Sequence, residues 1–229
     1  MKLKPWLFFV LIFFWFSSTY ALDTDFSSAN DKIGACVNAL KQISEIPDSH
    51  IPKELFRRAR GLGIFPGIIN IGALVGIELG KGVILRLDEH SSNWTNPAFF
   101  TFRSGSVGFQ VGAQSVDLFL LFMDEGAIQR LLEENFILGV DASISAGPIG
   151  RDRSFDTNLR LESQILSYSK ARGLFIGLSL TGGIIQPDNQ ANESFHGKHV
   201  SVQDILYDNA GVQSDNSRTL LETVNSMTK

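Results

Sequence analysis

The sequence predicts an α+β, mainly β fold: an antiparallel β-sheet domain with packed N-terminal and interrupting helices. Two patterns predict it. Apolar residues recur every three or four positions through Phe26, Ala29, Ile33, Cys36, Val37, Leu40 and Ile43, which is the helical period. From Gly61 to about Gly183, short runs rich in Val, Ile and Phe are instead broken by Gly, Ser, Asn and Asp, as strands joined by turns are. A lone cysteine, Cys36, adds a constraint: the fold is held by packing, without an internal disulfide.

Taken in order, residues 1–21 read as a cleavable secretory signal peptide. Lys2 and Lys4 precede an apolar run from Trp6 to Phe16, and Ser17, Ser18, Thr19, Tyr20 and Ala21 close it, so cleavage is expected after Ala21. The run is shorter than the roughly 20 residues a spanning helix needs. Ile33-Gly34-Ala35-Cys36 resembles a lipobox, but Asp23, Asp25, Asp31 and Lys32 separate it from the apolar run, which places Cys36 on the apolar face of the first helix. Residues 22–60 form the helical segment of the domain. Within it, Pro47 and Pro52 break the chain, and Pro52 opens a short second helix carrying Leu55, Phe56 and Ala59.

The β-rich part covers residues 61–210. Strands are expected near 68–76, 77–88, 98–103, 106–114, 115–122, 137–145, 158–169 and 174–182, in antiparallel pairs because they follow so closely. Gly80-Lys81-Gly82 reads as a bend between two of them. Gly72, Gly76 and Gly80 also have the spacing of a glycine-faced membrane helix, but Glu78 and Lys81 would then enter the bilayer at roughly 3 kcal/mol each. Asp124 caps a helix through Ala127, Ile128, Leu131 and Leu132. Ser201 with Asp204 resembles a capping box before Ile205 and Leu206. Residues 211–229 read as a polar tail, loosely held, with at most a short helix around Leu220, Leu221 and Val224.

Several motifs stand in a fixed order along this plan. They are Ile51-Pro52, Ala59-Arg60-Gly61, Ile64-Phe65-Pro66, Gly80-Lys81-Gly82, Trp94-Thr95-Asn96-Pro97-Ala98 and Gly105-Ser106-Val107-Gly108-Phe109-Gln110-Val111-Gly112. Leu138-Gly139-Val140-Asp141-Ala142-Ser143, Ala146-Gly147-Pro148-Ile149-Gly150-Arg151, Ile165-Leu166-Ser167-Tyr168-Ser169 and Ala171-Arg172-Gly173-Leu174-Phe175 follow. Together they resemble the SYLF domain, a lipid-binding module of bacterial exported proteins and of eukaryotic proteins that link membranes to actin. Phe195 to Leu206 is similar to that family's closing segment, with His196 at the second position of its aromatic pair. The resemblance implies an antiparallel sheet with packed helices, no enzymatic activity, no cofactor, and association with phospholipid through basic and apolar surface near the N-terminal helical part. Gly67-Ile68-Ile69-Asn70 lacks the basic residue that phosphoinositide-binding members carry after the Phe-Pro element. General anionic lipid binding is expected here, and phosphoinositide headgroup recognition is left open. Actin binding, a property of some eukaryotic relatives, is not carried over to an exported chain.

Charge and motif searches narrow the chemistry. Removal of residues 1–21 takes Lys2 and Lys4 and no acid, leaving 18 basic against 24 acidic residues and a net charge of −6, which argues against a nucleic-acid partner. The lipid-binding candidates are Lys53, Arg57, Arg58 and Arg60 beside Leu55 and Phe56; Lys53 and Arg57 share a helical face. Each cation at an anionic bilayer contributes on the order of 1 kcal/mol. The same pattern fits a solvated helix whose apolar side caps the β core, and both readings stand at this stage.

Arg151, Arg153, Lys170 and Arg172 form a second anionic-ligand patch if their two turns adjoin. His196 and His199 are a close pair with Asp204 nearby, but no third ligand is identified and no second histidine pair or cysteine cluster completes a tetrahedral set, so the histidines read as surface residues and no metal is expected. There is no Gly-x-Ser-x-Gly elbow, phosphate-cradling loop or histidine beside Cys36. Trp94 is expected to pack on the sheet or reach an interface. Asn93-Trp94-Thr95 and Asn192-Glu193-Ser194 become glycosylation acceptors only on a eukaryotic secretory route. The expected function is a non-enzymatic, membrane-peripheral phospholipid-binding protein of the cell envelope, exported and periplasmic. The alternative is an envelope scaffold that binds a protein partner without lipid.

Overall fold

Strand side chains point alternately to the two faces of a sheet, and in this protein helices cover both faces. The computed structural model describes residues 21–44, 51–72, 75–107, 114–148, 163–171, 174–176, 180–197 and 199–228. Its elements are α1 (Ala21–Ser44), α2 (Lys53–Arg58), β1 (Gly61–Gly72), β2 (Val75–Asp88), β3 (Asn93–Trp94), β4 (Ala98–Val107) and β5 (Gln114–Phe122). Then come α3 (Glu125–Gln129) running into a 3-10 turn at Arg130–Leu132, β6 (Phe136–Ile137), β7 (Ile144–Ala146), β8 (Ile165–Ala171), β9 (Leu174–Ile176) and β10 (Ile184–Pro187). Three helices close the chain: α4 (Asn189–His196), α5 (Val202–Tyr207) and α6 (Asp215–Thr228).

The sheet runs β6-β10-β4-β2-β1-β5-β8-β7, with β3 on β2 and β9 on β8. Its pairs are antiparallel except β7 with β8, so the sheet is mixed. Residues 147–164 intervene between those two strands, enough chain for the crossover that a parallel pair requires. On one face, Leu62, Ile64, Val83, Leu85, Phe99, Phe119 and Leu121 pack under α1, α2, α4 and α6. On the other, Phe65, Ile84, Phe100, Phe102, Leu118, Leu120 and Phe122 pack against α3 and α5. Burial on both faces explains the near-continuous apolar run of β5, where alternation would mark a sheet with one wet side.

The two predicted N-terminal helices are present, and Ser201 with Asp204 forms a complete capping box. The Gly-Lys-Gly element differs from the expected bend: it lies inside β2. The bend is instead a β-bulge in β1, where the register shifts between Ile64 and Ile69. Gly67 there has φ +65° and its N–H donates to Asp117 Oδ1 at 2.9 Å.

The polar tail also differs. Residues 215–228 form α6, with Leu220 and Val224 buried against α1, and Asn216 Nδ2 donating to the Asn30 carbonyl at 2.9 Å. Two well-placed apolar residues, one helical turn apart, are enough to dock a helix that is otherwise polar.

Candidate functional site

At the C-terminal end of β1 and the N-terminal end of β2 the strands continue past the helix that covers them. Residues opposite one another in an antiparallel pair share a face. Ile64, Val83 and Phe99 are matched across β1, β2 and β4 under α1, and further out Ile69, Leu79 and Arg103 are matched in the same way. Here the cover by the described residues stops. Ile69, Ile77 and Leu79 are 48%, 59% and 46% exposed. Ile77 is opposite Gly105, which offers no side chain to cover it. Arg103 is exposed beside Leu79, and Lys81 follows two residues further along the same face of β2. The result is a small apolar surface edged by cations.

The candidates read from sequence fall elsewhere. Leu55, Phe56 and Ala59 are buried in the core under α2, so α2 is the helix that caps the β core and has no apolar side left to insert into a bilayer. Arg57 donates to the Thr228 carbonyl at 3.1 Å and lies 3.8 Å from Glu54, and Arg60 pairs with Glu89 at 2.8 Å. Such exposed pairs hold their charges loosely. Lys170 is buried and donates to Gln42 Oε1 at 3.2 Å, so it is no part of a surface patch. Arg151, Arg153 and Arg172 lie outside the described residues. Cys36 is fully buried 3.7 Å from the Ile64 carbonyl, and burial pushes its thiol up to about 12, which removes it as a nucleophile at neutral pH.

The exposed surface escaped the sequence reading because Ile69, Ile77 and Leu79 are ordinary strand residues by type. The alternation Ile77-Glu78-Leu79-Gly80-Lys81 was the available signal. It puts the two apolar side chains and Lys81 on one face.

The family model described as Las17-binding protein actin regulator, Ysc84, matches residues 103–227, from β4 through α6. The chain belongs to the Ysc84, or SYLF domain, family. It is 29% identical over 197 residues to the SH3 domain-containing YSC84-like protein 1 of Rattus norvegicus, covering 83% of this chain and 57% of that relative. It is 32% identical over 163 residues to Protein YSC84 of Saccharomyces cerevisiae, covering 69% of this chain and 34% of that relative. The chain therefore spans less than two thirds of the length of these relatives.

Among the described residues, motifs that carry the SYLF resemblance build the fold. In Trp94-Thr95-Asn96-Pro97-Ala98, Trp94 is buried on the sheet and Thr95 Oγ1 accepts from the Arg86 N–H at 3.0 Å. Asn96 binds Asn209 and Ala210 through its N–H and its amide, at 2.8 to 3.2 Å. Asn192, the second glycosylation candidate, is 2% exposed with both amide atoms bound to the Phe99 backbone, so in the folded domain its side-chain amide is not accessible as a glycan acceptor. His196, expected at the surface, is buried. It bridges Pro97 and the segment leading to α6.

The chemistry of those partners fixes the His196 tautomer. The Pro97 carbonyl only accepts, so Nε2 carries the hydrogen (2.9 Å), and the Val212 N–H only donates, so Nδ1 is bare (3.2 Å). A second proton on Nδ1 would face the Val212 N–H. Burial, opposed by the Pro97 bond, holds His196 below its usual value of 6.5. In the folded state the neutral form is favoured, so this contribution to stability is fully present above 6.5 and is lost as pH falls towards the depressed folded value. Denaturant midpoints should therefore drop between neutral and mildly acidic buffer. His196→Gln, which cannot titrate, should flatten that slope; an unchanged slope would mean that other groups set it.

Proposed function

We propose that this chain is a non-enzymatic, membrane-peripheral protein of the cell envelope that binds anionic phospholipid, exported by the segment 1–21. The observation that carries this reading is the surface of Ile69, Ile77 and Leu79 with Arg103 and Lys81 on the same sheet face. Water-exposed branched side chains gain on the order of 1 kcal/mol each on entering an apolar layer, and the cations add attraction to anionic headgroups. The cations Lys53, Arg57 and Arg58 of α2, with Arg60 just after it, are a second, purely electrostatic contact. Along β1, Gly61, the residue after Arg60, is eight strand residues from Ile69, at most about 26 Å of chain.

The test is co-sedimentation of the processed chain, whose intact mass should report Leu22 as first residue, with vesicles of graded anionic content. Binding should rise with anionic lipid, fall with salt and be lost in Ile77→Asp/Leu79→Asp. Loss in Arg57→Ala/Arg58→Ala alone would move the contact to α2. A second reading rests on the family description: relatives named for binding Las17 and for actin regulation make a protein partner a second candidate ligand. A stable complex or oligomer in chromatography, with no binding to any vesicle, would favour that scaffold role.

A further inference from the structure

Two lysines meet in a cleft just inboard of the apolar surface. Ser28 and Lys32 of α1, Lys81 of β2, and Asp188, Gln190 and Ser194 at α4 line a space of about 100 Å³. That volume holds several waters or one phosphate group and is too small for an acyl chain. The glycines on either side explain why a lysine is presented here. A Cβ at Gly80 would lie 2.6 Å from Ile68 Cγ1, and one at Gly82 only 2.1 Å from the Ile64 carbonyl oxygen. Only Lys81, pointing to the α1 side, has room for a side chain. It sits one strand repeat, about 7 Å, from Leu79.

We infer that this cleft receives the headgroup phosphate of a glycerophospholipid, and that it selects a singly charged phosphodiester over a phosphomonoester. The inference rests on the proposed membrane reading and gives it a headgroup class. Charge decides the selectivity. Lys32 and Lys81 bring two positive charges, and Asp188, 2.9 Å from Lys81 Nζ with an 11% exposed side chain, cancels one. The remainder matches one phosphodiester charge, whereas a phosphomonoester approaches two negative charges near neutral pH and would crowd the Asp188 carboxylate. Lys81 keeps two ammonium hydrogens after serving Asp188, and Lys32 keeps its own set to offer. Asp188 is held where it is because its Oδ1 also accepts the Ala191 N–H at 3.2 Å as the cap of α4.

The experiment compares the processed chain on vesicles of phosphatidylcholine mixed with either phosphatidylglycerol or phosphatidic acid at equal total charge. Phosphatidylglycerol vesicles should bind more tightly, and Lys32→Gln/Lys81→Gln should weaken them roughly thirtyfold, two cations at about 1 kcal/mol each. Asp188→Asn, which still caps a helix, should shift the preference towards phosphatidic acid. Soluble glycerophosphoglycerol separates a free phosphodiester from a membrane-borne one: if it binds without vesicles as tightly as they do, the cleft serves a soluble ligand and the headgroup assignment fails. Unchanged binding in Lys32→Gln/Lys81→Gln, with loss in Ile77→Asp/Leu79→Asp, overturns the cleft and leaves the membrane reading standing. No vesicle binding by the unmodified chain removes both.

Discussion

Gly82→Ala should cost at least about 3 kcal/mol of folding stability, a large share of the 5–15 kcal/mol typical of a domain. The added Cβ would stand 2.1 Å from the Ile64 carbonyl oxygen and 2.8 Å from Phe65 Cα, backbone atoms that cannot rotate away. Their approach follows from the β1 bulge, where Gly67 turns at φ +65° and Asp117 holds its N–H. Gly105→Ala makes the matched control: its Cβ would meet nothing within 4 Å on a neighbouring strand of the same sheet. Urea midpoints for the two variants check the claim. Similar midpoints would mean that β1 and β2 do not approach as described.

Asn192→Ala should destabilise the domain by about 2 kcal/mol, because the buried Phe99 N–H loses its acceptor, while the Phe99 carbonyl keeps the Asp188 N–H at 2.9 Å. Asn192 Oδ1 accepts the Phe99 N–H at 2.8 Å and its Nδ2 donates to the Phe99 carbonyl at 2.9 Å, all within the packed interior. The side chain thus replaces a strand partner at the start of β4 and ties α4 to the sheet. Asn189→Ala, on an exposed position of the same helix, should change stability by no more than about 0.5 kcal/mol. Equal losses in both variants would point to helix propensity and remove the special role of Asn192.

Much of this architecture is legible locally. The three- and four-residue spacing from Phe26 to Ile43 identifies α1 and puts Cys36 on its buried side. The Ser201 and Asp204 pair marks the start of α5, as a local hydrogen-bond pattern should. The ordered motifs point to the SYLF family, and among the described residues some of them meet a geometric demand: Gly139 has φ +81°, and a Cβ at Gly147 would overlap the Tyr168 ring. The strand readings at 137–145 and 174–182 blur where β6, β7 and β9 are only two or three residues long. Strands that short carry too little alternation to read.

The candidate site was much less legible. Lys53, Arg57, Arg58 and Arg60 form a charge cluster in any arrangement of the chain, but whether Leu55 and Phe56 face a bilayer or the core depends on what packs beneath α2. Lys170 looks like a turn cation by its neighbours, yet the crossing of α1 over β8 supplies Gln42 and buries it. Leu220 and Val224 look too few to hold a helix until α1 offers them a surface. Ile69, Ile77 and Leu79 match the buried strand residues in type and differ only in lying beyond the reach of α1. Periodicity and capping act within a few residues and can be read along the chain. Burial is a property of pairs of surfaces brought together from distant segments, so the tertiary structure alone decided which apolar and charged groups face solvent, and with them the candidate site.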